Sequence, residues 1–115
     1  MVFKRGQIFL ANFNPSKGNE PGKIRPCLIL QTDLLNDIGH PTTTVIPLTT
    51  QLNEAVPLRY RINARSKLQH NSDLMLDQSR TIDNQRFIGD AMAELTAGEL
   101  AQLNEYLQIV LGFQD

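Results

Sequence analysis

Several residue types on which common protein classes depend are scarce in this sequence. It has one cysteine, Cys27, which excludes an intramolecular disulfide framework and is typical of a reducing compartment. Its two histidines, His40 and His70, have no companions at metal-ligand spacing, so we expect no metal site and no bound cofactor. We expect both histidines to lie in surface loops without a functional role.

Long apolar runs are also missing. Each apolar run ends within about eight residues, which is too short for a helix that spans a bilayer. The N-terminal segment "MVFKRGQIF" lacks the extended apolar stretch of a signal peptide. We therefore expect a cytosolic protein with no membrane partner.

The chain has no strong excess of either charge. Its formal net charge of −1 argues against a general nucleic-acid coat protein. The distribution is uneven, because residues 1–67 carry nine Lys and Arg against four Asp and Glu, whereas residues 68–115 carry two against eight. This asymmetry is compatible with one positive face, and equally with charges scattered over a solvated surface.

What is present is mostly short strand-like segments. Six segments have the apolar or alternating pattern of strands and are bounded by turn residues: 7–13, 26–31, 42–49, 57–63, 73–78 and roughly 87–94. In 57–63 the apolar residues alternate with Arg59 and Arg61, which we expect to be solvated. Pro47 cannot donate to a strand ladder, so we expect it at an edge, a bulge or a strand end.

One segment predicts a helix, near the C-terminus. Thr96 and Glu99 have the spacing of a capping box, and leucines then recur at helical intervals until Gly112 provides a stop. Five to six strands followed by one helix predict a mainly-β or α+β fold, a small and strongly bent antiparallel barrel. With no repeat or linker, we expect a single domain spanning 1–115.

Three familiar kinds of site lack the residues they need. The loop "GNEPGKI" (18–24) is too short between its glycines for a phosphate-binding loop and has Ile24 where Ser or Thr would hold magnesium. Cys27 lies inside an apolar run, which favours an inert buried thiol. Asp73 and Asp77 are carboxylates without a dense acidic cluster around them. Asp83 is more typical of a turn cap.

Polar residues nevertheless cluster where predicted strands begin or end. Arg25 precedes the strand that starts at Pro26, Thr49 and Thr50 end the third strand, and Asp77-Gln78 end the fifth. Strand ends beside loops are where rigid scaffolds present functional groups.

These residues carry a resemblance to a known family. The segment "KRGQIFLANFNPSKGNEPGKIRPCLILQ" (4–31) resembles the opening of the MazF/PemK/Kid toxins of bacterial toxin–antitoxin systems, with an Arg-Gly before the first strand and an Arg-Pro before the second. "VIPLTTQ" (45–51) and "DLMLDQSRTID" (73–83) resemble the family's next two blocks. The blocks occur in the family's order, so the resemblance covers essentially the whole chain.

The resemblance implies an SH3-like barrel, a homodimer, and a metal-independent endoribonuclease that cuts single-stranded RNA. It also implies a cognate antitoxin whose disordered segment blocks the RNA groove. Such cleavage uses the neighbouring 2′-OH as nucleophile and leaves 2′,3′-cyclic phosphate and 5′-OH ends, so the protein need not supply a nucleophile.

The resemblance also implies roles for individual residues. The family's catalytic arginine and threonine match Arg25 and Thr49, with Thr50 as the alternative threonine. The loop acid matches Glu20, and two groove-lining positions match Asp77 and Gln78. We expect Lys17, and with it Lys23, to lie near RNA. Met75 stands where the Kid branch has a proton-donating arginine, so this chain is expected to depend on Arg25 and Thr49, with Glu20 or water as the base.

Two alternatives belong to other classes. A gyrase-poisoning toxin of the CcdB type shares the barrel but binds a protein and cleaves nothing. A non-catalytic family member would bind only its antitoxin or RNA. The presence of both Arg25 and Thr49 disfavours each alternative.

Overall fold

In the computed structural model, which describes residues 2–114, the chain forms a seven-stranded antiparallel sheet and a C-terminal helix. The strands are β1 (Gln7–Asn12), β2 (Ile24–Ile29), β3 (Thr42–Thr49), β4 (Arg59–Ile62), β5 (Ser72–Met75), β6 (Arg80–Asp83) and β7 (Phe87–Glu94). The helices are the four-residue α1 (Asp33–Asn36) and α2 (Ala97–Val110), with short 3-10 turns at Leu76–Gln78 and Asn84–Arg86.

The sheet is not a closed barrel. Its order is β4-β5-β3-β2-β1-β7, with β6 also paired to β3, and within residues 2–114 the end strands β4 and β7 are not paired with each other. A single backbone hydrogen bond, 2.9 Å from Lys67 N to Met92 O, joins the loop after β4 to β7 instead. The predicted fold, a small and strongly bent antiparallel barrel with a C-terminal helix, is confirmed in its broad form, with the sheet left open between β4 and β7.

β3 is a central strand that pairs with three others. Its first half pairs with β6 and its end pairs with β5, while β2 lies along its other side. Pro47 therefore lies inside a central strand, which the sequence analysis did not expect. It is tolerated because residues 46 and 47 fall between the β6 pairing, which stops at Val45, and the β5 pairing, which starts at Leu48.

Both faces of the central strands are buried. Ile8, Leu28 and Ile46 belong to one apolar cluster, which α2 covers, whereas their chain neighbours Phe9 and Cys27 belong to a second cluster. Successive side chains of a strand point to opposite faces, so a strand buried on both faces has a continuous apolar run rather than an alternating one. This explains the unbroken runs in the first three strands.

The predicted helix is confirmed with its capping box. The Thr96 hydroxyl accepts from Glu99 N, and the Glu99 carboxylate accepts from Thr96 N. Leu103 and Leu107 are buried against the sheet, and Gly112 follows the helix with φ +81°. Neither α1 nor α2, the two α-helices of residues 2–114, has the length and apolar character needed to cross a membrane.

Candidate active site

A cavity of about 610 Å³ opens where several strand ends meet. Its walls come from the loop before β2, the first residues of β2, the end of β3, the loop between β3 and β4, the start of β4, and the end of β5 with the 3-10 turn that follows. Four residues predicted to be functional line it together: Arg25, Thr49, Asp77 and Gln78.

Arg25 is held in this cavity by backbone carbonyls. Its Nε donates to Gly22 O at 2.9 Å and its Nη1 donates to Leu48 O at 3.2 Å. The side chain thus bridges the loop before β2 and the end of β3. At β3 it binds Leu48, the residue that precedes Thr49. Two of the five N–H donors of the guanidinium are used, which leaves three for a ligand.

The charge of Arg25 has no protein counter-ion in the part of the chain that the structure describes. No Asp or Glu carboxylate of residues 2–114 comes within 4 Å of its guanidinium, so Arg25 forms no structural ion pair with Glu20 or Asp77. Burial lowers the pKa of Arg25 from its ordinary value of 12.5. A half-buried cation without a partner is costly for the fold, and an anionic ligand would compensate it.

Thr49 is the last residue of β3 and is partly exposed to the cavity. Its Oγ1 accepts a hydrogen bond of 3.1 Å from Gln51 N, which fixes the oxygen and leaves the hydroxyl hydrogen free to be donated. Thr50 also lines the cavity but is exposed. Of the two threonines, Thr49 has the more constrained hydroxyl.

The 3-10 turn after β5 brings the second pair of predicted residues to the cavity. The segment 73–78 was predicted as one strand, but β5 ends at Met75 and Leu76–Gln78 turn away from it. Because of this turn, Asp77 and Gln78 line the cavity together with residues of the loop before β2. Met75 is buried and also lines the cavity, with no group able to transfer a proton.

Lys17 and Glu20 do not line the cavity. Both are exposed on the loop between β1 and β2, where Lys17 N donates to the Glu20 carboxylate at 3.1 Å. Asn19, Pro21 and Lys23 of the same loop do reach it. The loop therefore contributes to the site, and the roles of Lys17 and Glu20 remain predictions from the resemblance.

The expectation of solvated arginines on β4 was wrong for Arg59, whose side chain is only 20% exposed, whereas Arg61 is exposed as expected. Arg59 and Arg61 both bind the carboxylate of Asp73, whose side chain is 0% exposed. Arg59 also lines the cavity, so it is a candidate site residue that the sequence analysis missed. The strand alternation correctly separated the arginines from Tyr60 and Ile62, but no local pattern indicated that a buried aspartate of another strand faces them.

Two other residues considered in the sequence, Cys27 and Asp83, have structural positions. Cys27 is fully buried, and desolvation raises the pKa of its thiol to about 12, in agreement with the inert thiol predicted. Asp83 caps the turn Asn84–Arg86 by accepting from Gln85 N, also as predicted. Within residues 2–114 there is no group of three or more His, Cys, Asp and Glu residues suited to hold a metal ion.

Comparison with known proteins places this geometry in a family. Residues 4–111 match the family model described as PemK-like, MazF-like toxin of type II toxin-antitoxin system. The chain is 36% identical to the endoribonuclease EndoA of Bacillus subtilis, over all of this chain and 99% of that protein. It is 33% identical to the endoribonuclease MazF of Staphylococcus saprophyticus, over 96% of this chain and 92% of that protein.

A solved structure has the same fold along nearly its full length. MazF from Deinococcus radiodurans superposes with a TM-score of 0.81 at 25% identity, covering 97% of this chain and 98% of that one. The fold, the match over residues 4–111 and the two curated relatives all agree. The chain therefore belongs to the PemK-like, MazF-like toxins of type II toxin–antitoxin systems.

Proposed function

We propose that this protein is the toxin of a type II toxin–antitoxin system, an endoribonuclease that cuts single-stranded RNA without a metal ion. Family membership and two full-length relatives named as endoribonucleases support the activity. The observation that carries the assignment of the site is Arg25: a rigidly held guanidinium with no carboxylate partner in residues 2–114, in a cavity that Thr49 also lines.

The cleavage chemistry fits a cavity without a protein nucleophile. The 2′-OH of RNA attacks the adjacent phosphorus, the P–O5′ bond breaks, and the products carry a 2′,3′-cyclic phosphate and a 5′-OH. The protein has to align this phosphate and stabilise the negative charge that accumulates on its oxygens in the transition state.

Arg25 and Thr49 have the groups for this task. A guanidinium presents paired N–H donors that match two phosphate oxygens, and it stays protonated at neutral pH. The free hydroxyl hydrogen of Thr49 adds a further donor at the end of β3. Gly22 and Leu48 hold Arg25 in place before the substrate arrives, so little reorganisation accompanies the reaction.

Proton transfer requires a different residue. A guanidinium that stays protonated at neutral pH is a poor base, and Met75 cannot transfer a proton. Asp77 is the carboxylate that lines the cavity within the described residues, whereas Glu20 lies outside its walls. Asp77 is therefore our candidate for the group that accepts the 2′-OH proton, directly or through water.

The biological setting follows from the family. We propose that the 115 residues form one toxin domain, that it acts as a homodimer in the cytoplasm, and that a cognate antitoxin neutralises it by binding over the RNA site. Solved MazE–MazF structures from Deinococcus radiodurans contain a chain of the same fold. The two full-length endoribonuclease relatives do not favour the gyrase-poisoning or non-catalytic alternative.

The test is cleavage of a long, structure-poor RNA in the presence of EDTA. We expect discrete cuts with 5′-OH ends, and a loss of about two to three orders of magnitude in rate for Arg25→Ala. Matching circular dichroism and thermal unfolding of the two proteins would show that the variant is folded. Near-native cleavage by a folded Arg25→Ala variant would refute the assignment, and cleavage that requires added Mg²⁺ would refute metal independence.

A further inference from the structure

A second arginine shares the cavity with Arg25. Arg59 opens β4, and its Nη1 donates to Gln51 O at 3.1 Å and to the Asp73 carboxylate at 3.3 Å. Its side chain is 20% exposed and lines the cavity. Within the described residues, Arg59 forms hydrogen bonds through Nη1 alone. The side of the guanidinium formed by Nε and Nη2 therefore keeps three free N–H donors. That edge can bind two phosphate oxygens together.

Asp73 binds Arg59 and two further donors near it. Its side chain is 0% exposed and accepts from Arg59, from Arg61 at 3.0 Å, and from Asn53 N at 2.9 Å. Burial alone would raise the pKa of this carboxyl, but these donors and the two positive charges hold it below the ordinary value of 3.8. The carboxylate therefore stays ionised and fixes both the start of β4 and the loop between β3 and β4.

Arg61 has the same carboxylate partner but a different location. It lines a smaller cavity of about 240 Å³, which Arg59 also borders, and it pairs with Glu54 at 2.9 Å. It does not line the cavity that holds Arg25. The two arginines thus form a matched pair, equal in charge and in contact with Asp73, of which only Arg59 lies in the site.

We propose that Arg59 binds an RNA phosphate in the same cavity as Arg25, and that the buried Asp73 is the residue that positions it. The inference rests on the proposed function and deepens it, because it assigns a second point of contact with the RNA backbone. Two fixed guanidiniums in one cavity, Arg25 held by carbonyls and Arg59 by a carbonyl and a carboxylate, would bind the RNA backbone at two points. Phosphate contacts of this kind fix register and orientation rather than sequence.

The experiment compares Arg59→Gln with Arg61→Gln. Each variant removes one charge and one partner of Asp73, and only Arg59 lines the cavity that holds Arg25. Arg61→Gln additionally loses the contacts with Glu54 and Asn53 O, and Arg59→Gln loses the one with Gln51 O. The probe is an RNA oligonucleotide that spans a mapped cleavage site and carries 2′-deoxy at the cut nucleotide, so that it binds without being cleaved. Its dissociation constant is measured at several salt concentrations, beside KM and kcat on the cleavable RNA.

We expect Arg59→Gln to raise the dissociation constant of the probe about tenfold or more. On the cleavable RNA, the loss should be mainly in KM rather than in kcat. The slope of the logarithm of the binding constant against the logarithm of the salt concentration should decrease in magnitude by about 0.7. Arg61→Gln should leave the slope at the wild-type value. An unchanged slope for Arg59→Gln, or equal changes in both variants, would overturn the proposal while wild-type cleavage still supports the proposed function. A wild-type protein that neither binds nor cuts RNA would overturn both.

A double-mutant cycle tests the positioning role of Asp73. Asp73→Asn keeps a hydrogen-bonding oxygen but loses the charge that holds Arg59. We expect it to weaken probe binding in the wild-type background and to have no further effect in Arg59→Gln. Equal losses in the two backgrounds would show that Asp73 does not act through Arg59. Urea unfolding of each variant at the assay temperature establishes that the compared proteins are folded.

Discussion

Arg25 differs from Arg61 and Arg65 in what it contacts. Arg61 pairs with Asp73 and Glu54, and Arg65 pairs with Glu99, so in both cases hydrogen bonds to carboxylates raise the pKa of the guanidinium. Arg25 has only backbone carbonyls, and burial lowers its pKa. Carboxylates thus neutralise Arg61 and Arg65, whereas the charge of Arg25 is left for a ligand.

The two adjacent threonines allow a controlled test at the residue scale. Thr49→Val keeps the β-branched shape and removes the hydroxyl that we assign to the phosphate. We expect its cleavage rate to fall by about two orders of magnitude. Thr50→Val is the matched control and should stay within about threefold of wild type. A larger loss for Thr50→Val than for Thr49→Val would move the catalytic hydroxyl to Thr50.

For Cys27 we predict that the folded protein does not react and that its activity does not change. Its thiol is fully buried with a pKa of about 12, so the reactive thiolate is scarce and inaccessible at neutral pH. We expect no reaction of the folded protein with a disulfide-exchange reagent over minutes, and complete reaction in guanidinium chloride. RNA cleavage should be unchanged by the treatment. Rapid labelling of the folded protein would contradict the buried position.

At the scale of elements, the ends of the strands form the site. β3 ends at Thr49, β5 ends at Met75, and the 3-10 turn after β5 carries Asp77 and Gln78 to the cavity. β3 and β7 match their predicted limits, because each is bounded by strong turn or capping signals. β6 was missed since its four residues, Arg80–Asp83, form a strand only through pairing with β3.

The difference between local motifs and tertiary pairing also explains which residues of the site could be predicted from the sequence. Arg25, Thr49, Asp77 and Gln78, which line one cavity, were predicted from local motifs that carry the family resemblance. The contacts of Asp73 could not be identified in this way, because they depend on the β4–β5 register, in which Arg61 lies opposite Asp73 and Arg59 opposite Met75. Register is a tertiary property that short motifs do not encode.

The N-terminus of α2 predicts a pH effect on stability. Arg65 and the Thr96 amide hold the pKa of Glu99 at about 2, below its ordinary value of 4.5. The stabilisation is therefore complete above pH 4.5 and is lost as the pH falls towards 2. We expect Glu99→Gln to cost about 2 kcal/mol in urea unfolding at pH 7 and clearly less at pH 3.5.

A control on the same helix separates this effect from the loss of a charge. Glu105 is exposed on α2, outside the first turn, so Glu105→Gln should change the free energy of unfolding by less than about 0.5 kcal/mol at both pH values. A Glu99→Gln penalty that is equal at pH 7 and pH 3.5 would contradict the role assigned to the ionised carboxylate.

At the scale of the whole molecule, two apolar clusters lie on opposite faces of one sheet and α2 covers only one of them. Large apolar side chains remain exposed near the C-terminal end, including Ile109, Leu111 and Phe113. Exposed apolar surface of this kind is typical of a protein that associates with another chain.

The homodimer expected from the resemblance can be tested directly. We expect sedimentation equilibrium at micromolar concentration to give a mass twice that of the 13.0 kDa chain. Burial of apolar surface between two copies would provide the stabilisation. A single species of chain mass at that concentration, in a preparation that cleaves RNA, would show that the monomer is the active form.

The central claim is that the cavity around Arg25 aligns a phosphate so that the RNA itself provides the nucleophile. The most direct measurement is cleavage of two oligonucleotides that share a mapped site and differ only in one 2′-OH, at the nucleotide before the cut. The account predicts that the all-ribose oligonucleotide is cut and that the 2′-deoxy one binds with similar affinity but is not cut. Cleavage of both at the same rate would contradict it, because the nucleophile would then come from the protein or from water.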